Sequence, residues 1–374
     1  MMQRGVLQRF SVIGLYLWGF RVGVLLIVIW GSFGTFQAGC PSALTLCDFK
    51  SRYAADVWLD LVIYGLSQGS VYALLALGYT MVYGILRMIN FAHGDVFMAG
   101  AYTAYYLAAA FGRSGFLNRS PLLALAAVLA LAAITAMSIA LLIERVAYRP
   151  LRRTPRLVAL ISAIGASFFL EYAFRGFFGS GFQAYPEWNI FKGEWTFLGT
   201  GILRTQAVVI VASVLLMAGL YAYVMRTKTG TAMRAVSEDL EIASLMGIDV
   251  DRVIVVTFAI GGAAAGAAGV LYALVFKQVH FFMGFFPGIK AFTAAVLGGI
   301  GNIPGAMLGG LFLGIFESVG PILILEGLRV PGIYPAGIPA PYQLKDVIAF
   351  TMLVMVLIFR PSGILGERLA GKKA

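Results

Sequence analysis

The sequence predicts an all-α, polytopic membrane helix bundle of about eight full crossings plus a broken, re-entrant helix pair. Three observations carry this. Of 374 residues, 60% are hydrophobic and only 12% are charged, where soluble domains carry about 25% charged residues. The apolar residues fall in blocks long enough to cross roughly 30 Å of hydrocarbon as helices. The Lys and Arg residues behind the net charge of +11 gather in short loops between those blocks, as the positive-inside rule expects of cytoplasmic loops. Basic charge so placed sets topology in a lipid bilayer and argues against a nucleic-acid partner.

The first block runs from Val12 to Phe36 and follows Arg4 and Arg9, a layout shared with signal peptides. Gln37 stands where a lipoprotein cleavage site carries an aliphatic residue, so the block is read as an uncleaved membrane helix. Val57–Leu86, Val96–Phe111, Pro121–Ile143, Leu157–Leu170 (with an extension to Phe178 as the alternative), Thr205–Met225, Val253–Phe276 and Val347–Phe359 supply the remaining full crossings. The last is short and needs flanking residues to complete it.

Ala291–Val319 differs. Two half-length apolar runs meet at Gly298–Gly305, with Asn302 and Pro304 between them, and Pro ends a helix by removing a donor and clashing with the preceding turn. Basic clusters at Arg149–Arg156, at Arg226–Arg234 and in the tail from Arg360 to Lys373 all become cytoplasmic only if this block enters and leaves on the outer side. The chain then divides into an extra N-terminal helix with an outer loop (1–56), a transmembrane domain (57–365) and a basic cytoplasmic tail (366–374). Cys40 and Cys47, the two cysteines, share the first outer loop and form either a disulfide or two free thiols. With no further Cys or His beside them, they do not make a metal site.

The longest polar stretch on the inner side is Arg226–Arg252. Within it Thr231–Gly247 can form an amphipathic helix. Met233, Val236, Leu240 and Ala243 recur every three or four residues on an apolar side, while Arg234, Glu238, Asp239 and Glu241 are polar. Such a helix either docks in a partner's groove or is a solvated connector.

Asn90, His93 and Asp95 form a polar knot after the second block. They belong either to the solute path or to a tight loop at the inner surface, with Asn90 ending one helix and Asp95 capping the next; the second alternative is preferred. Glu144, Arg145 and Arg149 are expected to form an ion-pair cluster. Glu171 and Arg175, four apart on one helical face, are expected to pair. The translocation path is placed at the polar and glycine positions Ser70, Thr80, Asn90, Thr293, Gly298, Gly299 and Asn302, chiefly in the broken element, whose freed backbone groups can meet a solute's charges. Small-residue helix packing is the competing account of the same positions.

Several segments resemble the signature of branched-chain amino acid ABC permeases: Gly78–Asp95 (GYTMVYGILRMINFAHGD), Ile143–Pro150 (IERVAYRP), Leu160–Gly165 (LISAIG), Ser237–Ile248 (SEDLEIASLMGI) and Lys290–Gly301 (KAFTAAVLGGIG). The similarity runs in order over residues 57–365. Within that family the chain looks most like the subunit that pairs with a second, different permease. Glu241, Ala243 and Gly247 match the Glu-Ala-Ala-three-Gly pattern of ABC coupling loops; Ile242 replaces the middle Ala, and the downstream Ile-x-Leu-Pro is absent. The N-terminal 56 residues and the Gly320–Gln343 insertion depart from the family's shorter pattern.

The resemblance implies a bacterial inner-membrane importer. It would contain a second homologous permease, two ATP-binding subunits that use ATP and Mg, and an extracytoplasmic solute-binding protein. This chain would bind no cofactor and catalyse no reaction. The sequence agrees on one point: no Gly-x-x-x-x-Gly-Lys-[Ser/Thr] phosphate loop is present. The implied solutes are branched-chain or other small amino acids, with urea and short amides as the alternative within the family. In a different class, an ion-coupled secondary transporter would need intramembrane acids, and mid-span Asp and Glu are nearly absent from the blocks. A channel would need no docking loop, and no His, Cys or carboxylate set resembles a catalytic site.

Overall fold

The structure, a computed structural model, describes residues 12–36, 53–152, 154–197, 200–326, 328, 338, 340–360 and 362–366. The Cys40 and Cys47 alternatives, the tail beyond 366 and much of the 320–343 insertion lie outside the described residues.

The helices are α1 (Val12–Phe36), α2 (Ala55–Leu86), α3 (His93–Arg113), α4 (Phe116–Arg119), α5 (Pro121–Ile143), α6 (Arg156–Phe178), α7 (Arg204–Arg226), α8 (Lys228–Glu238), α9 (Leu240–Leu245), α10 (Val250–Phe276), α11 (Phe285–Gly298), α12 (Ile303–Gly320) and α13 (Lys345–Phe359). Sheet is confined to two antiparallel ribbons among the described residues. In one, β1 (Gln183–Ala184) pairs with β4 (Gln278–Val279); in the other, β2 (Glu194–Phe197) pairs with β3 (Thr200–Leu203).

Eight helical stretches are long and apolar enough to cross a membrane, the expected number with one change of membership. The block Val96–Phe111 forms α3, which is not among the eight, and Ile303–Leu325 takes its place. The short last block is completed by a tight turn ahead of it, so that Pro341–Phe359 is helical. Pro150 shapes the end of α5: a widened π turn at Glu144–Tyr148 and a 3-10 turn at Arg149–Leu151 carry the chain past it.

The described residues form two compact units, one from Met1–Val62 with Ile315–Pro361, the other from Ile63–Gly314 with Ser362–Ala374. In the smaller unit, buried Thr35 hydrogen-bonds to the carbonyl oxygens of Gly31 and Leu323. Arg21 donates to the Ile358 carbonyl and lies over the Phe359 ring, Tyr53 donates to Glu326, and buried Glu317 pairs with Lys345 at 3.5 Å. Outward-facing Trp18, Leu26, Ile29 and Trp30 on α1 are exposed, as a surface solvated by lipid allows.

The larger unit is built on small residues. Gly100 of α3, Gly262 and Gly266 of α10, and Ala132, Ala136 and Ala140 of α5 meet so closely that a Cβ on any of the glycines would strike a neighbouring backbone. Lipid tails are as apolar as Leu, so membrane helices gain by close backbone packing rather than by apolar burial, and small residues permit it. The neighbours Gly261 with His93, Gly266 with Gly100, and Gly269 with Phe97 and Ala101 show α3 and α10 running side by side in the same direction.

Candidate functional site

The segment expected to form one amphipathic helix forms two. Asp239 breaks it: its backbone is extended, and its side chain accepts hydrogen bonds from the N–H groups of Glu241 (2.8 Å) and Ile242 (3.0 Å), capping α9. Thr227 caps α8 in the same way through the Gly230 N–H, and Asp249 caps α10 through Arg252. Gly247 closes α9 in the left-handed conformation at φ +86°, with its N–H on the Ser244 carbonyl and the Ile248 N–H on that of Ala243. The three caps make α8, α9 and the start of α10 a stiff unit.

The expected apolar side holds at Met233, Val236 and Ala243, all buried against the bundle, and fails at Leu240, which is exposed. Arg234, Glu238, Asp239, Glu241 and Gly247 are exposed. Not evident from the pattern is what α9 and the residue that follows it present outward: Ile242 is 60% exposed, Leu245 86% and Met246 78%. Arg87, in the left-handed region at the end of α2, donates to the Ser237 carbonyl and ties α2 to α8.

An ion cluster lies beside this unit with different members from those expected. Arg152 pairs with both Glu144 and Asp251, and Arg149 reaches Asp251 at 3.6 Å. Glu144 is buried and Asp251 exposed. Exposed Arg145 is not a member. The cluster joins the end of the α5 helix to the first turn of α10.

The broken element is in place, and it is a hairpin. Gly298 abuts Gly305, and Gly309 abuts Ala294, so α11 and α12 run antiparallel around a turn at Gly299–Asn302. Asn302 caps α12 by accepting from the Gly305 N–H at 3.0 Å. The last carbonyls of α11 would be left unpaired at the break. They accept instead from Ile364 and Leu365 N–H, and the Asn302 amide donates to the Leu365 carbonyl. The turn lies at the α8–α9 end: Gly84 of α2 has both Gly301 and Ser237 of α8 as near neighbours. The hairpin thus returns the chain to the side from which it came, as the tail's charge requires. The half-length expectation holds for α11, whereas Ile303–Leu325 is long enough to cross alone.

A branched-chain amino acid transport system / permease component model matches residues 61–357. The high-affinity branched-chain amino acid transport system permease protein LivH of Escherichia coli K12 is 43% identical over 83% of this chain and 96% of its own length. BraD of Pseudomonas aeruginosa, a permease protein of the same description, is 45% identical over the same shares. The chain belongs to this permease family.

In the permease, His93 and Asp95 of the polar knot do not sit at the inner surface, which corrects the preferred alternative for these two. After Arg87 the chain turns back, and α3 starts deep in the bundle beside Gly78 of α2, Gly261 of α10 and Ser167 of α6, each well inside its helix. His93 packs edge-on against Tyr79 in the room left by the two glycines. Asp95 does not cap α3, whose N-terminus has no side-chain cap; its carboxylate lies in the first turn, where the helix dipole favours negative charge. It accepts from the Ser167 hydroxyl through Oδ2, while Oδ1 has no hydrogen-bond partner. Glu171, one turn beyond Ser167, lies within electrostatic reach of Asp95, and both acids are buried. The expected Glu171–Arg175 pair does not form: Arg175 lies over the Phe281 ring and Glu171 Oε1 has no hydrogen-bond partner. Mid-bundle acids are therefore present, contrary to the expectation that they are nearly absent.

Of the positions expected to line the translocation path, Ser70, Thr80, Asn90, Thr293, Gly298 and Gly299 are buried, while Asn302 is half-buried in the hairpin turn. Ser70 donates to the Ser67 carbonyl, Thr293 to that of Ile289, and Asn90 accepts from the Tyr148 hydroxyl. Buried Thr80 has no partner for its hydroxyl. Gly298 and Gly299 admit no side chain without striking the backbone of Gly305 or of Gly366. For these glycines close packing is a sufficient account, while Asp95, Ser167 and Glu171 bring polar groups together deep in the larger unit.

Proposed function

We propose that this chain is the membrane-spanning subunit of an ABC importer that passes branched-chain amino acids across the bacterial inner membrane. A second homologous permease pairs with it, an extracytoplasmic binding protein delivers the solute, and two partner subunits hydrolyse ATP with Mg. The chain itself binds no nucleotide. Family membership supports the transport class, and a relative in Methanocaldococcus jannaschii named LivM, also a branched-chain amino acid permease, is 30% identical over 153 residues.

The observation that carries the coupling role is the apolar tip of α9. Ile242, Leu245 and Met246 stand exposed on a helix fixed by Asp239 at one end and Gly247 at the other. Outside the bilayer such a patch marks a protein contact. Its rigid mounting on α8 and α10 would carry a push from the ATPase to α2 through Arg87, to the hairpin turn beside Ser237, and to α5 through Arg152. Arg234, Glu238 and Glu241 supply the polar rim.

Replacing Leu245 and Met246 together with serine removes the anchors without touching a buried atom. A central anchor contributes about 2 kcal/mol or more to an interface and neighbouring anchors are not additive, so the loss of even one anchor's worth lowers ATPase affinity ~30-fold. Substituting Glu241 and Gly247 together should act in the same direction. Co-purification of the ATPase with the permease, alongside the thermal midpoint of the permease, checks this. Full association with unchanged uptake would overturn the coupling role.

A further inference from the structure

At the end of the larger unit opposite α8 and α9 there is a cavity of about 210 Å³. It is bounded by Tyr64 of α2, Gln206 in the first turn of α7, Ala273 near the end of α10, and the segment joining α6 to α7. None of the positions expected to line the path reaches it. Its volume is below the roughly 300–1,000 Å³ of sites for drug-sized ligands, which restricts an occupant to a small solute.

The lining has a definite chemistry. Tyr185, Trp188 and Phe191 form a series of ring contacts, with centroids 6.1 and 5.7 Å apart. Glu187 joins Lys277 at 2.7 Å and Lys192 at 3.3 Å. Lys277 first and Lys192 second hold the Glu187 carboxyl below the usual carboxylate range, so one anion faces two cations and the rim keeps a positive charge. The buried Trp188 Nε1 and Tyr185 Oη have no hydrogen-bond partner. An indole N–H can only donate, and burial pushes the Tyr185 phenol up, keeping its proton. Two cations therefore face one anion, beside an aromatic wall.

We infer that this cavity binds a small aliphatic carboxylate, with the carboxylate at Lys192 and Lys277 and the hydrocarbon against Tyr185, Trp188 and Phe191. Resting on the function proposed above, the occupant is the amino acid itself, held at the outer mouth of the permease. The same chemistry, an anionic group on an apolar body, also describes the headgroup of an acidic phospholipid, and the test separates the two.

The assembled transporter, in nanodiscs of phosphatidylcholine and separately of phosphatidylglycerol, is incubated with radiolabelled leucine without the binding protein. Bound label is measured by equilibrium dialysis, with unlabelled isocaproate (no ammonium) and isoamylamine (no carboxylate) as competitors. Leucine should bind alike in both lipids and yield to isocaproate but not to isoamylamine. The double variant Lys192→Gln and Lys277→Gln should weaken binding about tenfold or more, because each charge-assisted bond is about twice as strong as a neutral one.

Three results would overturn the site: no leucine binding in either lipid, binding abolished by phosphatidylglycerol alone, which assigns the cavity to lipid, or displacement by isoamylamine. Uptake of leucine with the binding protein present is measured in parallel. If uptake proceeds and cavity binding fails, this inference falls and the transport function stands. If leucine is not taken up while isocaproate still binds, the substrate assignment falls and the carboxylate site stands.

Discussion

Arg152→Ala is expected to destabilise the permease by about 3–5 kcal/mol, the usual cost of removing one partner from a buried ion pair. Glu144 is 2% exposed and pairs with Arg152; without the guanidinium its charge would be stranded between the end of α5 and the start of α10. The comparison with Asp251→Asn is informative. Asp251 also pairs with Arg152, but it is 59% exposed, and exposed pairs contribute at most about 1 kcal/mol. Water replaces one partner and cannot reach the other. The double variant Arg152→Met with Glu144→Leu should recover most of the loss, since a buried pair exchanged for apolar residues is often close to neutral. Thermal unfolding of the detergent-solubilised protein ranks the three variants. Equal effects of Arg152→Ala and Asp251→Asn would show that the Glu144 contact does not carry the stability.

The second large effect concerns the glycines where helices meet backbone to backbone. A Cβ at Gly310 would enter the space of the Ala73 backbone, and one at Gly314 that of Gly65 and Gly69. Backbone cannot rotate away as a side chain can, so Gly310→Val or Gly314→Val must separate α12 from α2 along its length. Overpacking costs typically about 1–3 kcal/mol, and a contact with backbone belongs at or above the top of that range. Gly219→Ala on α7 is the control. Nothing lies within 4 Å of the added carbon there, and alanine is the better helix former by up to ~1 kcal/mol. Folded yield in the membrane fraction should collapse for the first two and hold for the third. Similar yields for all three would mean that α2 and α12 are not in close contact in the membrane.

The same glycines explain what was legible in the sequence. Long apolar blocks, the break at Gly298–Gly305 and a polar inner segment each leave a local trace, and each appears in the structure. The trace at Asp239 was also present: an acidic side chain followed by Leu-Glu is a helix start, and the surrounding 3.6-residue pattern concealed it. Contacts between distant segments leave no such trace. Asp95 meets Ser167 across 72 residues, and α3 starts deep in the bundle because Gly78 and Gly261 make room for His93. A pattern along one helix shows that Glu171 and Arg175 can face one another, but not that α3 brings Asp95 close to Glu171. Leu245 and Met246 were passed over because apolar residues in a membrane protein attract notice only when their surroundings are known to be aqueous.

In the function proposed above, an ATPase seated on the α8–α9 unit drives transport through this permease. The direct measurement is leucine uptake into proteoliposomes holding the permease pair and binding protein, with and without the ATP-binding subunits. Uptake against a gradient should require those subunits and ATP, and should be lost in the Leu245→Ser, Met246→Ser variant while the protein stays folded. Uptake that persists without the ATP-binding subunits, or that follows an imposed ion gradient instead of ATP, would contradict it.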